Sequence, residues 1–154
     1  MNLLSCYLFR GLSASQLERI AAITAEQPIK EGHWLFKEQQ PATSVYLLKD
    51  GAIELVTRVE DAIEVPVAMI RPDNGCLGIG ALVEPYLYSL SARCLQDGIV
   101  LKIEQRELHS LMQDDIELRC TIMTNIAKKM LERLKETRQE IKIHFMNLVR
   151  SVSF

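Results

Sequence analysis

Gly75-Cys76-Leu77-Gly78-Ile79-Gly80-Ala81-Leu82, then a short Val83-Glu84-Pro85-Tyr86 link, then Leu87-Tyr88-Ser89-Leu90-Ser91-Ala92-Arg93, is the stretch on which the reading of this chain turns. Gly75, Gly78 and Gly80 give backbone that turns tightly and can lie close to a ligand. The residues after Pro85 alternate: Tyr88, Leu90 and Ala92 share one face, while Ser89, Ser91 and Arg93 share the other, as in a half-buried strand. The spacing predicts a glycine-led loop delivered onto a strand.

Short apolar runs separated by turn signals flank this stretch on both sides. Strands are expected at about 27–30, 33–37, 44–49, 52–59, 63–71, 87–96 and 99–104. Asp50-Gly51 and Asp97-Gly98 read as hairpin turns, and Pro72-Asp73-Asn74-Gly75 as another turn. Pro66 cannot donate a ladder hydrogen bond, which confines its strand to an edge or to a bulge. Many short strands at this spacing point to an antiparallel roll or barrel.

Helices bracket the strands. Ser13-Ala14-Ser15-Gln16 places a Ser cap three residues before Gln, with Leu12 and Leu17 at the staple positions, and Leu17, Ile20, Ala21 and Ile23 or Thr24 form the expected buried stripe. From Gln105 the period changes again: a short helix to Met112, then Asp114 or Asp115 capping a long helix to about Val149. Ile116, Cys120, Met123, Ala127, Met130, Leu134, Thr137, Ile141, His144 and Leu148 follow an unbroken 4-3-4-3 spacing. A helix of about 33 residues is roughly 50 Å long, so part of it must leave the roll. The seam from Met123 to Leu148 is expected to pair with a second copy of the chain, giving a homodimer, while Ile122 and Ile126 pack onto the roll. The chain divides into the N-terminal helix and roll over residues 1–113 and the long helix over residues 114–154, within one domain.

Composition narrows the function. With 154 residues, 48% hydrophobic, 25% charged and a net charge of −2, the chain lacks the basic balance of nucleic-acid binders. The apolar start, Met1 to Phe9, has no basic leader, and no later segment approaches a membrane span. Cys6, Cys76, Cys94 and Cys120 show no metal-ligand pairing and read as buried or inert reduced thiols, which places the chain in the cytoplasm. His33, His109 and His144 lie far apart with no adjacent nucleophile, so neither catalysis nor a metal is expected. His144 falls on the seam, where its protonation is expected to loosen the dimer. The Lys and Arg residues from Lys128 to Lys142 alternate with Glu132, Glu136 and Glu140, a salt-bridged solvated face.

Gly32-x-x-Leu35-Phe36, Val45-Tyr46-Leu47-Leu48-x-x-Gly51, Gly78-Ile79-Gly80-Ala81-Leu82 and Tyr88-Ser89-Leu90-Ser91-Ala92-Arg93, in this order between a capped helix and a long one, resemble the cyclic-nucleotide-binding domain of the catabolite-activator (Crp/Fnr-like) family. The resemblance implies a mainly β fold with flanking helices: an eight-stranded antiparallel, jelly-roll-like β-roll followed by a long dimerisation helix. It also implies that Gly78, Ile79, Gly80, Ala81, Leu82, Tyr88 and Ser89 surround the ligand site, and that the family ligand is cyclic AMP or cyclic GMP. In the family a Glu in the turn accepts the ribose hydroxyl and an Arg opening the strand pairs with the cyclic phosphate. Here those positions hold Ile79 and Tyr88, and Arg93 lies on the opposite face. Losing two charged partners at about 1.5–3 kcal/mol each weakens a cyclic nucleotide by about 10³- to 10⁴-fold. The expectation is a non-catalytic regulatory module with an altered or self-filled pocket. Two alternatives are a working small-ligand or cyclic-nucleotide domain acting through the dimer helix on a separate output protein, and a haem or redox sensor. No helix-turn-helix is read before Phe154, so direct DNA binding is not expected.

Overall fold

The computed structural model describes residues 5–153; Met1 to Leu4 of the apolar start and Phe154 lie outside them. Among the described residues six antiparallel strands, where eight were expected, form one sheet: β1 (Thr24–Ile29), β2 (Trp34–Phe36), β3 (Ser44–Glu60), β4 (Ile63–Ile70), β5 (Cys76–Leu77) and β6 (Ser91–Glu104). They run in the order β1-β6-β3-β4, with β2 on β6 and β5 on β3. Among the described residues three α-helices flank the sheet: α1 (Ala14–Ala22), α2 (Gln105–Asp114) and α3 (Ile116–Val152). Val45, Leu47, Leu48, Ile53, Val100 and Ile103 from β3 and β6 form the centre of the core.

The expected strand boundaries need correction at three places. The 44–49 and 52–59 strands are one strand, β3, and the 99–104 strand is continuous with the strand before it as β6. Neither Asp-Gly pair makes a hairpin. They face each other across β3 and β6, where the register shifts at Asp50. Gly51 adopts φ +99°, and a Cβ on Gly98 would meet the Asp50 carbonyl oxygen at 2.0 Å. The two pairs therefore let adjacent strands bend together at closest approach. The third correction is that β6 begins at Ser91, so Leu87 to Leu90 lie outside it.

Local rules held elsewhere. Ser13 accepts from the Gln16 backbone N–H at 3.2 Å, and the Gln16 side chain accepts from Ser13 N–H at 2.9 Å. Gln16, not the exposed Ala21, joins Leu17 and Ile20 on the inward stripe of α1. β4 is the sheet edge, and its register slips between the Leu55–Ala68 and Val56–Pro66 pairs, so Pro66 has both the edge position and the bulge that its missing N–H demands.

Asp115 caps α3, accepting from Leu118 N–H at 3.0 Å, and also receives Gln16 at 3.1 Å and Arg19 at 2.6 Å. These donors, Leu118 N–H foremost, hold its carboxyl down at about 2. Leu118, Ile122 and Ile126 are buried against the roll, each contributing about 1.5–3 kcal/mol. Asn125 donates to the carbonyls of Leu8 and Arg10, tying the N-terminal segment to α3. Beyond Arg133 every described residue of α3 is exposed. Among the described residues no helix is both long and apolar enough to cross a membrane.

Candidate functional site

The turn at the centre of the sequence reading is a single 3-10 turn, Ile79–Leu82, entered through Gly78 in the left-handed region at φ +80°. A side chain at Gly78 would press on the Ser44 carbonyl at 2.9 Å and on the Tyr88 and Tyr46 rings. Gly80 lies against the Leu87 carbonyl, where a Cβ would sit 2.3 Å away. Both glycines are explained by how tightly the turn packs on its own chain. Ala81 and Leu82 are buried, and Ile79 packs at the edge of the core. The Gln105 side chain, first in α2, donates to the Ala81 carbonyl at 2.6 Å. The turn is thereby fastened to the start of that helix.

Tyr88 lies inside this arrangement, 4% exposed. Its ring stacks on Phe36 with centroids 3.9 Å apart and planes 14° apart, and Phe36 stacks in turn on Tyr46 at 6.0 Å. Its hydroxyl donates to the Ser44 carbonyl at 3.1 Å and accepts from the N–H groups of Ser44 at 3.2 Å and Thr43 at 3.3 Å. The donor and both acceptor sites of the phenol are thus occupied. Burial, with Tyr88 next to it, pushes the Tyr46 hydroxyl up to about 12, so that ring stays neutral.

The cavity left among Phe36, Leu77, Gly78, Ile79, Tyr88 and Leu90 holds about 40 Å³. Small-molecule sites usually hold about 300–1,000 Å³. Ser89 is exposed at the cavity rim. The structure therefore brings Gly78, Ile79, Gly80, Tyr88 and Ser89 to one cavity, while Ala81 and Leu82 face the core.

Residues 86–88 are held apart from β6 by pairing with the 39–42 loop. Gln39 N–H donates to the Tyr88 carbonyl at 2.8 Å, Tyr88 N–H to Gln40 at 3.0 Å, and Ala42 N–H to Tyr86 at 2.7 Å. Gln39 adopts φ +68°, a left-handed backbone on a residue with a side chain. Arg93 is on the outer face as expected from the alternation: it pairs with Glu54 at 2.6 Å and lies 5.2 Å from the Trp34 ring centre.

Arg133 of α3 also lines the small cavity, a contribution the sequence reading missed. Its signal was present, because Leu118, Ile122, Ile126, Lys129 and Arg133 form the roll-facing stripe at 4-4-3-4 spacing. Lys129 is likewise half-buried, 5.4 Å from the Tyr7 ring centre and 3.5 Å from Glu132. The solvated basic face expected from Lys128 onward is thus interrupted at these two residues.

The seam divides. Met123 packs partly against the core, whereas Ala127, Met130, Leu134, Thr137, Ile141, His144 and Leu148 are exposed, Ile141 by 62% and Leu148 by 65%. Phe145 at 66% and Val152 at 78% widen the exposed apolar surface beyond the expected seam.

Known proteins share this fold. A catabolite activator protein from Thermus thermophilus superposes with a TM-score of 0.74 at 20% identity, over 89% of this chain and 62% of that one. A protein from Geobacter metallireducens, provisionally named a cyclic nucleotide-binding protein, gives a TM-score of 0.71 at 30% identity, over 82% of this chain and 91% of that one. In sequence, 97 residues are 26% identical to an anaerobic regulatory protein of Bacillus subtilis, spanning 63% of this chain and 41% of that protein. Residues 26–115 match the profile of the cyclic nucleotide-binding domain, and that match contains the 79–82 turn, Tyr88 and the strands that hold them. The chain belongs to the cyclic nucleotide-binding domain family.

Proposed function

We propose that this chain is a non-catalytic regulatory domain whose nucleotide pocket is filled by its own Tyr88, and that it pairs with a second copy through the distal half of α3. Tyr88 carries the first part: a stacked ring with a saturated hydroxyl stands where the family resemblance puts the phosphate-binding Arg, beside an apolar Ile79 in place of the ribose-binding Glu. A cyclic nucleotide would have to displace the ring, leave the Ser44 and Thr43 backbone groups unpaired, and find no carboxylate at residue 79. Each such loss costs about 1–3 kcal/mol. The relatives support the regulatory reading, since they are named as regulators and binding proteins.

The exposed apolar side chains of α3 support the pairing. Leu134, Ile141, Phe145 and Leu148 have no cover from any described element, and patches of this kind mark interaction surfaces. A signal would pass between the regions through contacts already present. Tyr88 holds the start of β3, Gln105 holds both that start and the 79–82 turn, and Arg133 brings α3 to the same cavity. A separate output protein reading the geometry of the pair fits this arrangement. Titration calorimetry with cyclic AMP and cyclic GMP tests the pocket. The reading expects no saturable binding below about 1 mM, and a micromolar Kd would overturn it.

A further inference from the structure

Cys6 and Cys76 are 1% and 2% exposed, and both line one cavity of about 150 Å³ between the N-terminal segment, β5 and α3. Arg10 and Lys129 line it too. The Cys76 thiol foremost, then the Leu8 and Phe9 N–H groups and the Arg10 charge, holds the Cys6 thiol below its usual range. The hydroxyl of Tyr7, buried and without a hydrogen-bond partner among the described residues, lies beside Cys76 and experiences its charge. The other two cysteines are placed differently: Cys94 donates to the Gln96 carbonyl at 3.1 Å and Cys120 is exposed on α3.

We infer that Cys6 and Cys76 form an oxidisable thiol pair, closed to a disulfide by a peroxide that enters this cavity. The Cys6 sulfur, on losing its proton, attacks the O–O bond and gains one oxygen, while the other leaves as hydroxide and takes up that proton to become water. The Cys76 sulfur then attacks the sulfenic sulfur; the S–S bond forms and the hydroxyl leaves with the Cys76 proton as a second water. Two thiols are oxidised and one peroxide is reduced to two waters. Cys76 pairs with Leu47 in the sheet and lies two residues before Gly78, while the Cys6 segment is tied to α3 through Asn125. The disulfide would staple the N-terminal segment, which α3 already holds, to the strand that enters the pocket turn.

The test treats the full chain with hydrogen peroxide and reads intact mass and non-reduced peptides. The expected result is a loss of about 2 Da, a Cys6–Cys76 cross-linked peptide, and a rise in the unfolding midpoint of roughly 5–15 °C that dithiothreitol reverses. Cys6→Ser and Cys76→Ser abolish the cross-link, whereas Cys94→Ser and Cys120→Ser keep it. Recovery of both thiols by alkylation of the unfolded, peroxide-treated chain would overturn the inference. So would a cross-link that involves Cys94 or Cys120, or oxidation of Cys6 to a sulfinic acid with Cys76 still a free thiol.

Discussion

The two halves of α3 carry the same kinds of side chain and meet opposite surroundings. From Leu118 to Arg133 the helix lies on the roll, with Leu118, Ile122 and Ile126 buried and Asn125 bonded to the N-terminal segment. From Leu134 to Val152 Leu, Ile and Phe side chains stand in solvent. The difference teaches that helix periodicity reports which residues need cover, whereas the surrounding chain decides whether they have it. It also locates the boundary: Arg133, the last half-buried residue of α3, lines the small cavity beside Tyr88. The cavity and the exposed apolar surface therefore meet within one helical turn.

The contrast can be broken by paired substitutions. Ile122→Ala removes a fully buried side chain and is expected to cost about 2–5 kcal/mol in urea unfolding. Ile141→Ala, measured at a protein concentration too low for pairing, is expected to change stability by less than about 0.5 kcal/mol. Equal costs would mean that the distal half is also packed within the chain.

A second substitution sharpens the pocket end of the comparison. Tyr88→Phe keeps the stacked ring but leaves Ser44 O, Ser44 N and Thr43 N without the phenol. A loss of about 1–3 kcal/mol is expected, read in the same urea titration. An unchanged midpoint would show that the hydroxyl does not hold the pocket closed.

How much of this was legible in the sequence follows from how local each signal is. The Ser13–Gln16 capping box, the edge and bulge at Pro66, and the Asp115 cap depend on residues within a few positions or on a missing N–H, and each was readable. The Asp50-Gly51 and Asp97-Gly98 pairs carry the local chemistry of hairpins. Their use as a joint bend depends on β3 and β6 meeting there, a contact between residues 47 positions apart that no local rule contains. The resemblance grouped Tyr88 with Ile79, and both line one cavity. That the ring would turn inward and saturate its hydroxyl on Ser44 and Thr43 was not legible, because those partners lie 44 and 45 residues away. Residues 87–90 alternate like a strand, but Tyr86 and Tyr88 bond to the 39–42 loop, again a tertiary choice. Arg133 lies on the roll-facing stripe of α3, a face that the 4-3-4-3 seam does not mark.

The start of the docked half supplies a pH test. The Asp115 carboxyl is held low, so its contribution is full above the ordinary carboxylate value of 3.8 and is lost as pH falls toward about 2. The unfolding midpoint of the wild-type chain is expected to fall more steeply across that window than the midpoint of Asp115→Asn. Parallel curves would mean that the charge does not anchor α3.

A small gain in stability is expected at the loop that holds residues 86–88. Gln39 at φ +68° carries left-handed strain that glycine would relieve. Gln39→Gly is expected to stabilise the chain by up to about 1 kcal/mol, read as a higher urea midpoint at unchanged slope. A loss of stability would show that the Gln39 side chain makes a contribution larger than its backbone strain.

Sedimentation equilibrium of the full chain over a wide concentration range tests the central claim most directly, because it asks whether the uncovered half of α3 finds a second copy. The account predicts a dimer that becomes monomer in Leu134→Asp/Ile141→Asp, with a Kd raised more than about 1,000-fold. A wild-type chain that stays monomeric at high concentration would contradict it.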